Sequence, residues 1–260
     1  MKIFEKENIF YGKRIVSQMA TVKKHYENHL AKYYSWMSGG KAQKLEEHRN
    51  FFKDHNVAPC FSGVAVDLGA GSGFQSIPLA ELGFRVIAID LSKNLLTELK
   101  ESAKDLPVEI INDDLLNFSK HCPDKIELVV CMGDTLTHLN THQNIRHLLT
   151  MIYNALETGG RVILTFRDLT TELRGLDRFI PIRNDANTTF TCFVEYEKDY
   201  VKVHDIIYER EKNHWNLKKS FFKKIRIFPP WTREILQDIG FKVETFDIHN
   251  AVVCIIAHKT

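Results

Sequence analysis

The residues best suited to chemistry stand in one short stretch. Gly69, Gly71 and Gly73 alternate with other residues, and Asp67 lies two positions before the first of them. A loop that leaves a strand and enters a helix needs glycine where the backbone turns tightly or approaches a ligand, and the helix behind it presents unpaired N–H groups. Further carboxylates follow: Asp90 about twenty residues on, then the pair Asp113-Asp114. A carboxylate at the end of the second strand of such a unit can accept both hydroxyls of a ribose, which fits an adenosine-containing ligand. Two ligand classes share that much. A nicotinamide dinucleotide asks for Gly-x-Gly-x-x-Gly, whereas here the third glycine is Gly73 and Phe74 follows it. An acid at Asp67 is also ill suited to a pyrophosphate and well suited to an amino group, because opposite charges a few Å apart favour both ionised forms.

The elements that must hold these residues follow from the apolar pattern. Val64-Ala65-Val66 reads as a short buried strand before the glycines, and Phe74 to Leu82 as a helix that tolerates Pro78 in its first turn. A strand at Arg85–Ile89 precedes Ser92, which caps a helix whose apolar face is Leu95, Leu96, Leu99 and Ala103. Strands at Val108–Ile111 and Ile126–Met132 come next. A helix then shows Ile145, Leu148, Leu149, Ile152 and Leu156 on one face, a Gly159-Gly160 stop, and a strand at Val162–Phe166. Strands that alternate with helices and lack a polar face imply a parallel sheet covered on both sides, a doubly wound α/β fold.

Two appendages flank this core. Residues 15–35 carry apolar positions at irregular helical spacing that end at Trp36-Met37-Ser38-Gly39-Gly40, and a second helix runs from Lys41 to Asp54. Beyond Phe166, about sixty residues pass before the helix Trp231–Ile239, too many for an ordinary loop. Strand-like runs at Thr189–Tyr196, Tyr200–Tyr208 and Phe221–Phe228 make this interval an antiparallel β insertion, and Phe241–Phe246 with Ala251–Ala257 form a closing hairpin. One domain over 1–260 is expected: a helical cover at 1–60, a core at 61–167, the insertion at 168–228 and closing elements at 229–260.

Composition sets limits on partners. Lys+Arg 35 against Asp+Glu 33 leaves a formal charge of +2, so no strong field draws in nucleic acid or an anionic membrane. The 5 cysteines are widely spread with no Cys-x-x-Cys pair, as expected for reduced thiols in the cytoplasm rather than disulfides or a metal centre. Early acids at Glu5 and Glu7 interrupt any signal-peptide core, and no uncharged apolar run reaches the roughly 18 residues of a membrane span.

Taken together, Val66-Asp67-Leu68-Gly69-Ala70-Gly71-Ser72-Gly73, Asp90 and Asp113-Asp114 resemble class I S-adenosylmethionine-dependent methyltransferases over residues 61–167 and the closing elements. The resemblance implies a Rossmann-like, mostly parallel seven-stranded sheet with a C-terminal antiparallel hairpin. It implies S-adenosylmethionine as cofactor and S-adenosylhomocysteine as product. Gly69, Ala70, Gly71 and Gly73 would pass the methionyl part, Asp67 its amino group, and Asp90 with Leu91 the ribose. Asp113 or Asp114, beside Leu115, would meet the adenine amine, and Met132 with Gly133 would border the same pocket.

On the acceptor side, Met132-Gly133-Asp134-Thr135-Leu136-Thr137-His138-Leu139 carries no Asn-Pro-Pro-Tyr signature of base-amine methylation, and Cys131 reads as a buried thiol. The stretch is most similar to glycine N-methyltransferase-like small-molecule enzymes, with Asp134 where they have asparagine. By the same resemblance, Tyr33 and Trp36 belong to an aromatic helix over the cofactor, and Arg167 meets an acceptor carboxylate; a guanidinium can clamp one bidentately. Its alternative is an ion pair with Asp168 or Glu172. His138 and His204 are candidates to take a proton from the acceptor. A small-molecule acceptor is therefore expected. The alternatives are RNA, encouraged by Lys218-Lys219 and Lys223-Lys224-Ile225-Arg226, and a cofactor-binding protein without turnover.

Overall fold

The computed structural model describes residues 21–260 except Asp124 and Asn213. The chain opens with a helical segment of uneven pitch: α1 (Val22–His25), a π-helical turn (Tyr26–Leu30), a 3-10 turn (Ala31–Tyr33) and α2 (Tyr34–Met37), closed by Gly39 and Gly40. A helical stretch with irregularly spaced apolar positions was expected from residue 15. Residues 15–20, like the early acids, lie outside the described residues, and the remainder changes pitch twice. Helix α3 (Lys41–Asp54) follows as expected.

The core alternates strands and helices. In chain order these are β1 (Val64–Leu68), α4 (Ser76–Glu81), β2 (Arg85–Asp90), α5 (Lys93–Ser102), β3 (Val108–Asn112), β4 (Ile126–Cys131), α6 (His142–Ala155) and β5 (Leu156–Arg167). Strands β1 and β4 are buried along their whole length, the mark of a parallel sheet covered on both faces. Ser92 caps α5 by accepting from the Leu95 N–H, and Thr141 caps α6 through Asn144. The expected Gly159-Gly160 helix stop is corrected: α6 ends at Ala155, and both glycines lie inside β5, where the pairing with β4 slips between Ile126 and Leu128. A Cβ on Gly160 would stand 2.8 Å from the Glu157 carbonyl and 3.1 Å from that of Glu127, so the pair marks a close backbone approach in an irregular strand.

The insertion forms a separate antiparallel sheet of β6 (Phe179–Asn184), β7 (Thr188–Tyr196), β8 (Tyr200–Glu211) and β9 (His214–Ile225) in that spatial order. Four strands replace the expected three. The missed one, β6, contains Pro181, which an edge strand tolerates because its N–H side need not pair. Strand β9 starts and ends earlier than Phe221–Phe228; in its first half Trp215 and Leu217 alternate with polar residues but are exposed. Helix α7 (Pro229–Ile239) then leads to β10 (Phe241–His249) and β11 (Val252–Lys259). The main sheet has the order β10-β11-β5-β4-β1-β2-β3, mostly parallel, with β11 antiparallel to both neighbours. The inner face of the insertion buries Phe190, Val194, Val201, Val203 and Phe222 together with Leu30 and Tyr33 of the first segment. The two appendages thus share one apolar core beside the carboxyl edge of the main sheet.

Candidate active site

At that edge lies a cavity of about 710 Å³. Its first wall belongs to the main sheet. Gly69 and Gly71 line it, as do Asp90 and Leu91 after β2, and Asp113, Asp114 and Leu115 after β3. Gly69 has φ +81°, and a Cβ there would sit 2.3 Å from the Thr135 hydroxyl, so the loop after β1 passes the loop after β4 only because that position is glycine. Ala70 and Gly73 stand outside the lining: Ala70 is buried in the core, and Gly73 packs against Leu99.

Each carboxylate of this wall is oriented by its own loop. Asp90 accepts from the Gly71 N–H at 2.9 Å and from the Ser92 N–H at 2.7 Å. Burial pushes its pKa up, and these two backbone donors oppose that rise. A carboxylate offers about four lone-pair sites, so roughly two remain for a ligand's hydroxyls. Asp113 is engaged at both oxygens, by Asn117 and the Asp114 N–H on Oδ1 and by His121 at 2.7 Å on Oδ2. The His121 contact, with the others, holds its pKa down at about 2. Asp114 Oδ1 accepts from the Leu116 N–H as a helix cap, and its Oδ2 has no partner among the described residues. Asp67 is 1% exposed, lies beneath the loop rather than in the lining, and accepts from the Ser76 hydroxyl at 2.6 Å. Burial raises its pKa to about 7 against that hydrogen bond.

The second wall comes from parts of the chain far apart in sequence. Lys23, Tyr26 and Tyr34 line it from the first segment, His138 from the short helix after β4 (Thr135–His138), and Tyr200 and Lys223 from the insertion. The Tyr26 hydroxyl lies 3.2 Å from His138 Nε2, and burial keeps the pKa values of Tyr26 and Tyr34 above the usual phenol value. Burial and the Lys224 cation push His138 down to about 3, so its ring is neutral at physiological pH. Its Nδ1 is buried without a partner among the described residues.

The other acceptor-side candidates gather just behind this wall. Asp134 accepts from the Lys224 ammonium and from the Arg167 backbone N–H, with the Arg167 guanidinium 3.9 Å away. Burial pushes the Asp134 carboxyl up, but Lys224 and then Arg167 outweigh it and hold the group well below the usual carboxylate range. Neither Asp134 nor Arg167 lines the cavity, and the Arg167 side chain is about half exposed; its carboxylate partner is Asp134 rather than Asp168 or Glu172. Met132 is buried under the sheet edge, and Gly133 gives its N–H to Thr165. Tyr33 and Trp36 face the insertion instead of the cavity, Tyr33 in the shared core and Trp36 under the Arg183 guanidinium. The segment changes pitch between Tyr26 and Tyr33, and it is Tyr26 and Tyr34 that line the cavity. His204 pairs with Glu195 at 2.6 Å and stacks on Phe221, away from the cavity. Among the described residues no group of three or more metal-binding side chains converges, and no helix is long and apolar enough to cross a membrane.

Comparison with known proteins agrees with this architecture. Residues 65–160 match the family described as a methyltransferase domain. A glycine/sarcosine N-methyltransferase of Aphanothece halophytica is 32% identical over 105 residues, 40% of each chain. One from Halorhodospira halochloris is 25% identical over 187 residues, 70% of this chain and 66% of that one. The matched stretches therefore span from two fifths to just under two thirds of those relatives. The CcbJ methyltransferase of Streptomyces caelestis superposes with a TM-score of 0.71 at 16% identity, covering 92% of this chain and 99% of that one.

Proposed function

Since the chain carries a class I S-adenosylmethionine-dependent methyltransferase domain, we propose that it transfers the methyl group of that cofactor to a nitrogen, oxygen or sulfur atom of a small molecule. The observation that carries this reading is the two-walled cavity, with carboxylates prepared for a ribose and an adenine on one side and phenols, an imidazole and two lysines on the other. Its volume of about 710 Å³ is that of a small-molecule or cofactor cleft.

The residues fit the cofactor. Asp90 holds the two ribose hydroxyls with its remaining lone pairs. Asp114, with Oδ2 open, suits the adenine amine better than Asp113, whose oxygens are already engaged. Asp67 supplies negative charge beneath the glycine loop for the amino group. The bound cofactor supplies a methyl group already activated on a sulfonium, so the protein's share is alignment and exclusion of water. Tyr26 and Tyr34 remain protonated phenols that can donate hydrogen bonds, and neutral His138 holds Tyr26 in place. An amine acceptor attacks through its lone pair, and a wall of neutral phenols and imidazole edged by lysine cations favours the neutral amine over its ammonium form.

A carboxylate on the acceptor would meet Lys223, which lines the cavity and would be shared with Glu197, before Arg167, which lies outside the lining behind Asp134. The basic residues that suggested RNA are largely neutralised: Lys218 pairs with Glu209, Lys223 with Glu197, Lys224 with Asp134 and Arg226 with Glu172. That pairing supports the small-molecule reading, as does the name of the glycine/sarcosine relatives. We read 1–260 as one functional domain whose cover and insertion close the acceptor side. Its five free thiols suit the cytoplasm. The test is a metabolite panel incubated with methyl-labelled S-adenosylmethionine. Transfer to a small nucleophile supports the reading, whereas bound cofactor with no product across the panel would favour a binding protein without turnover.

A further inference from the structure

The strongest feature outside the cavity is a buried polar cluster between the first segment and the insertion. His25 is 0% exposed; its Nε2 lies 2.7 Å from Asp205 Oδ2 and its Nδ1 2.9 Å from the Ser220 hydroxyl. The other Asp205 oxygen accepts from the Cys192 thiol at 3.1 Å. His25 is separated from its two partners by 180 and 195 residues of chain. Around them the interface is apolar, formed by Leu30, Phe190, Val203 and Phe222. An apolar contact can slide, whereas buried polar atoms that all find partners in one arrangement and lose them in any other hold the two surfaces in a single register.

The cluster also reaches the cavity. Ser220, Phe222 and Lys224 alternate along β9 and so share one face of the strand. Ser220 meets His25 and Lys224 meets Asp134, while the Phe222 ring lies 4.3 Å from the His25 ring and 5.4 Å from that of His138. The residue after His25 is Tyr26, where the π-helical turn begins and whose phenol meets His138. We infer that His25 and Asp205 are positioning residues: their buried hydrogen bond fastens the segment over the cavity to the insertion sheet and thereby sets Tyr26 against His138. The fastening stands on the contacts alone, and its consequence for the site rests on the cofactor reading above.

The experiment uses the full chain with His25→Leu and Asp205→Asn, and Ser220→Ala as the milder variant should either fail to fold. Amide hydrogen exchange reads the fastening, and the dissociation rate of S-adenosylhomocysteine reads its effect on the site. Exchange at residues 22–33 is expected to speed up about tenfold while β4 stays protected, with release of S-adenosylhomocysteine about fivefold faster. A local destabilisation elsewhere in the fold would not produce that selective pair. Unchanged exchange at 22–33 overturns the fastening, and a loosened segment with unchanged release overturns the role in the site. If the wild-type protein binds no S-adenosylhomocysteine, the cofactor reading and the site role fall together, while exchange still decides the fastening.

Discussion

The two walls of the cavity are held in different ways. On the sheet side, Asp90, Asp113 and Asp114 are each fixed by backbone N–H groups within two residues of themselves or, for Asp90, also by Gly71 of the adjacent loop. On the opposite side, the main fixing contacts join side chains distant in sequence: Tyr26 to His138, His25 to Asp205, Lys224 to Asp134. The first wall is a property of the strand ends and survives any change that leaves the sheet intact. The second exists only when the cover, the loop after β4 and the insertion are docked together. A cofactor shared by many reactions suits the first construction, and the second closes over it, with Tyr34 above Gly71, and suits an acceptor particular to one reaction.

Breaking the first wall at its narrowest point should have the largest effect. Gly69→Val would force a side chain at φ +81° into Thr135; overpacking and backbone strain together make a loss of about 3 kcal/mol in denaturant unfolding the expectation. S-adenosylhomocysteine binding should disappear with the loop's shape. Exposed Gly175 also has a positive φ, +54°, but nothing lies within 4 Å of its added Cβ, so Gly175→Val carries the strain without the crowding. Its cost should be the smaller of the two and should leave binding intact. Equal losses at the two positions would remove the contact with Thr135 from the account.

The next effect depends on pH. Burial raises the Asp67 pKa to about 7, so the folded protein keeps a proton there that the unfolded chain gives up from about pH 4 upward. Asp67 alone therefore lowers stability as pH rises through that window. For an amino group to pair with it the carboxylate must be ionised, and the ionised fraction grows about tenfold between pH 6 and pH 8. Affinity for S-adenosylhomocysteine should rise by about that factor, and Asp67→Asn should flatten the profile. A wild-type profile equally flat would remove Asp67 as the amino group's partner.

The smallest effect separates two cations on the acceptor side. With a carboxylate-bearing acceptor, Lys223→Met should raise KM about fivefold with kcat little changed, the size of one hydrogen bond from an ammonium that Glu197 already shares. Arg167→Ala should change KM by less than about threefold, because its guanidinium lies outside the lining beside Asp134. The reverse order would restore Arg167 as the acceptor's clamp.

The same division decides what could be read from sequence. Gly69, Gly71, Asp90, Leu91 and the Asp113-Asp114 pair were legible because short-range rules govern them: a strand, a turn, a helix and acids at strand ends. The alternation that gave β1 to β5, α7 and the final hairpin is local in the same sense. Tyr26, Tyr200 and Lys223 carry no local signal, since long-range docking alone brings them to the cavity. Tyr34 lies between Tyr33 and Trp36, the two residues that the resemblance points to, and no spacing rule anticipates a π turn followed by a 3-10 turn. His25 offered only a lone histidine in a lysine-rich stretch, and its partners lie in an insertion whose register the sequence leaves open. Strand β6 was hidden by Pro181, and the Gly159-Gly160 pair misled because glycine serves a helix end and a crowded strand equally well.

The central claim is that the sheet-side wall binds the adenosine portion of S-adenosylmethionine through Asp90. Calorimetric titration of S-adenosylhomocysteine into wild type and Asp90→Ala tests it most directly. The account predicts one site in the wild type and affinity weaker by about a hundredfold in the variant, the loss expected for two charge-assisted hydrogen bonds, with the fold retained by circular dichroism. Equal affinity in the two proteins would contradict it.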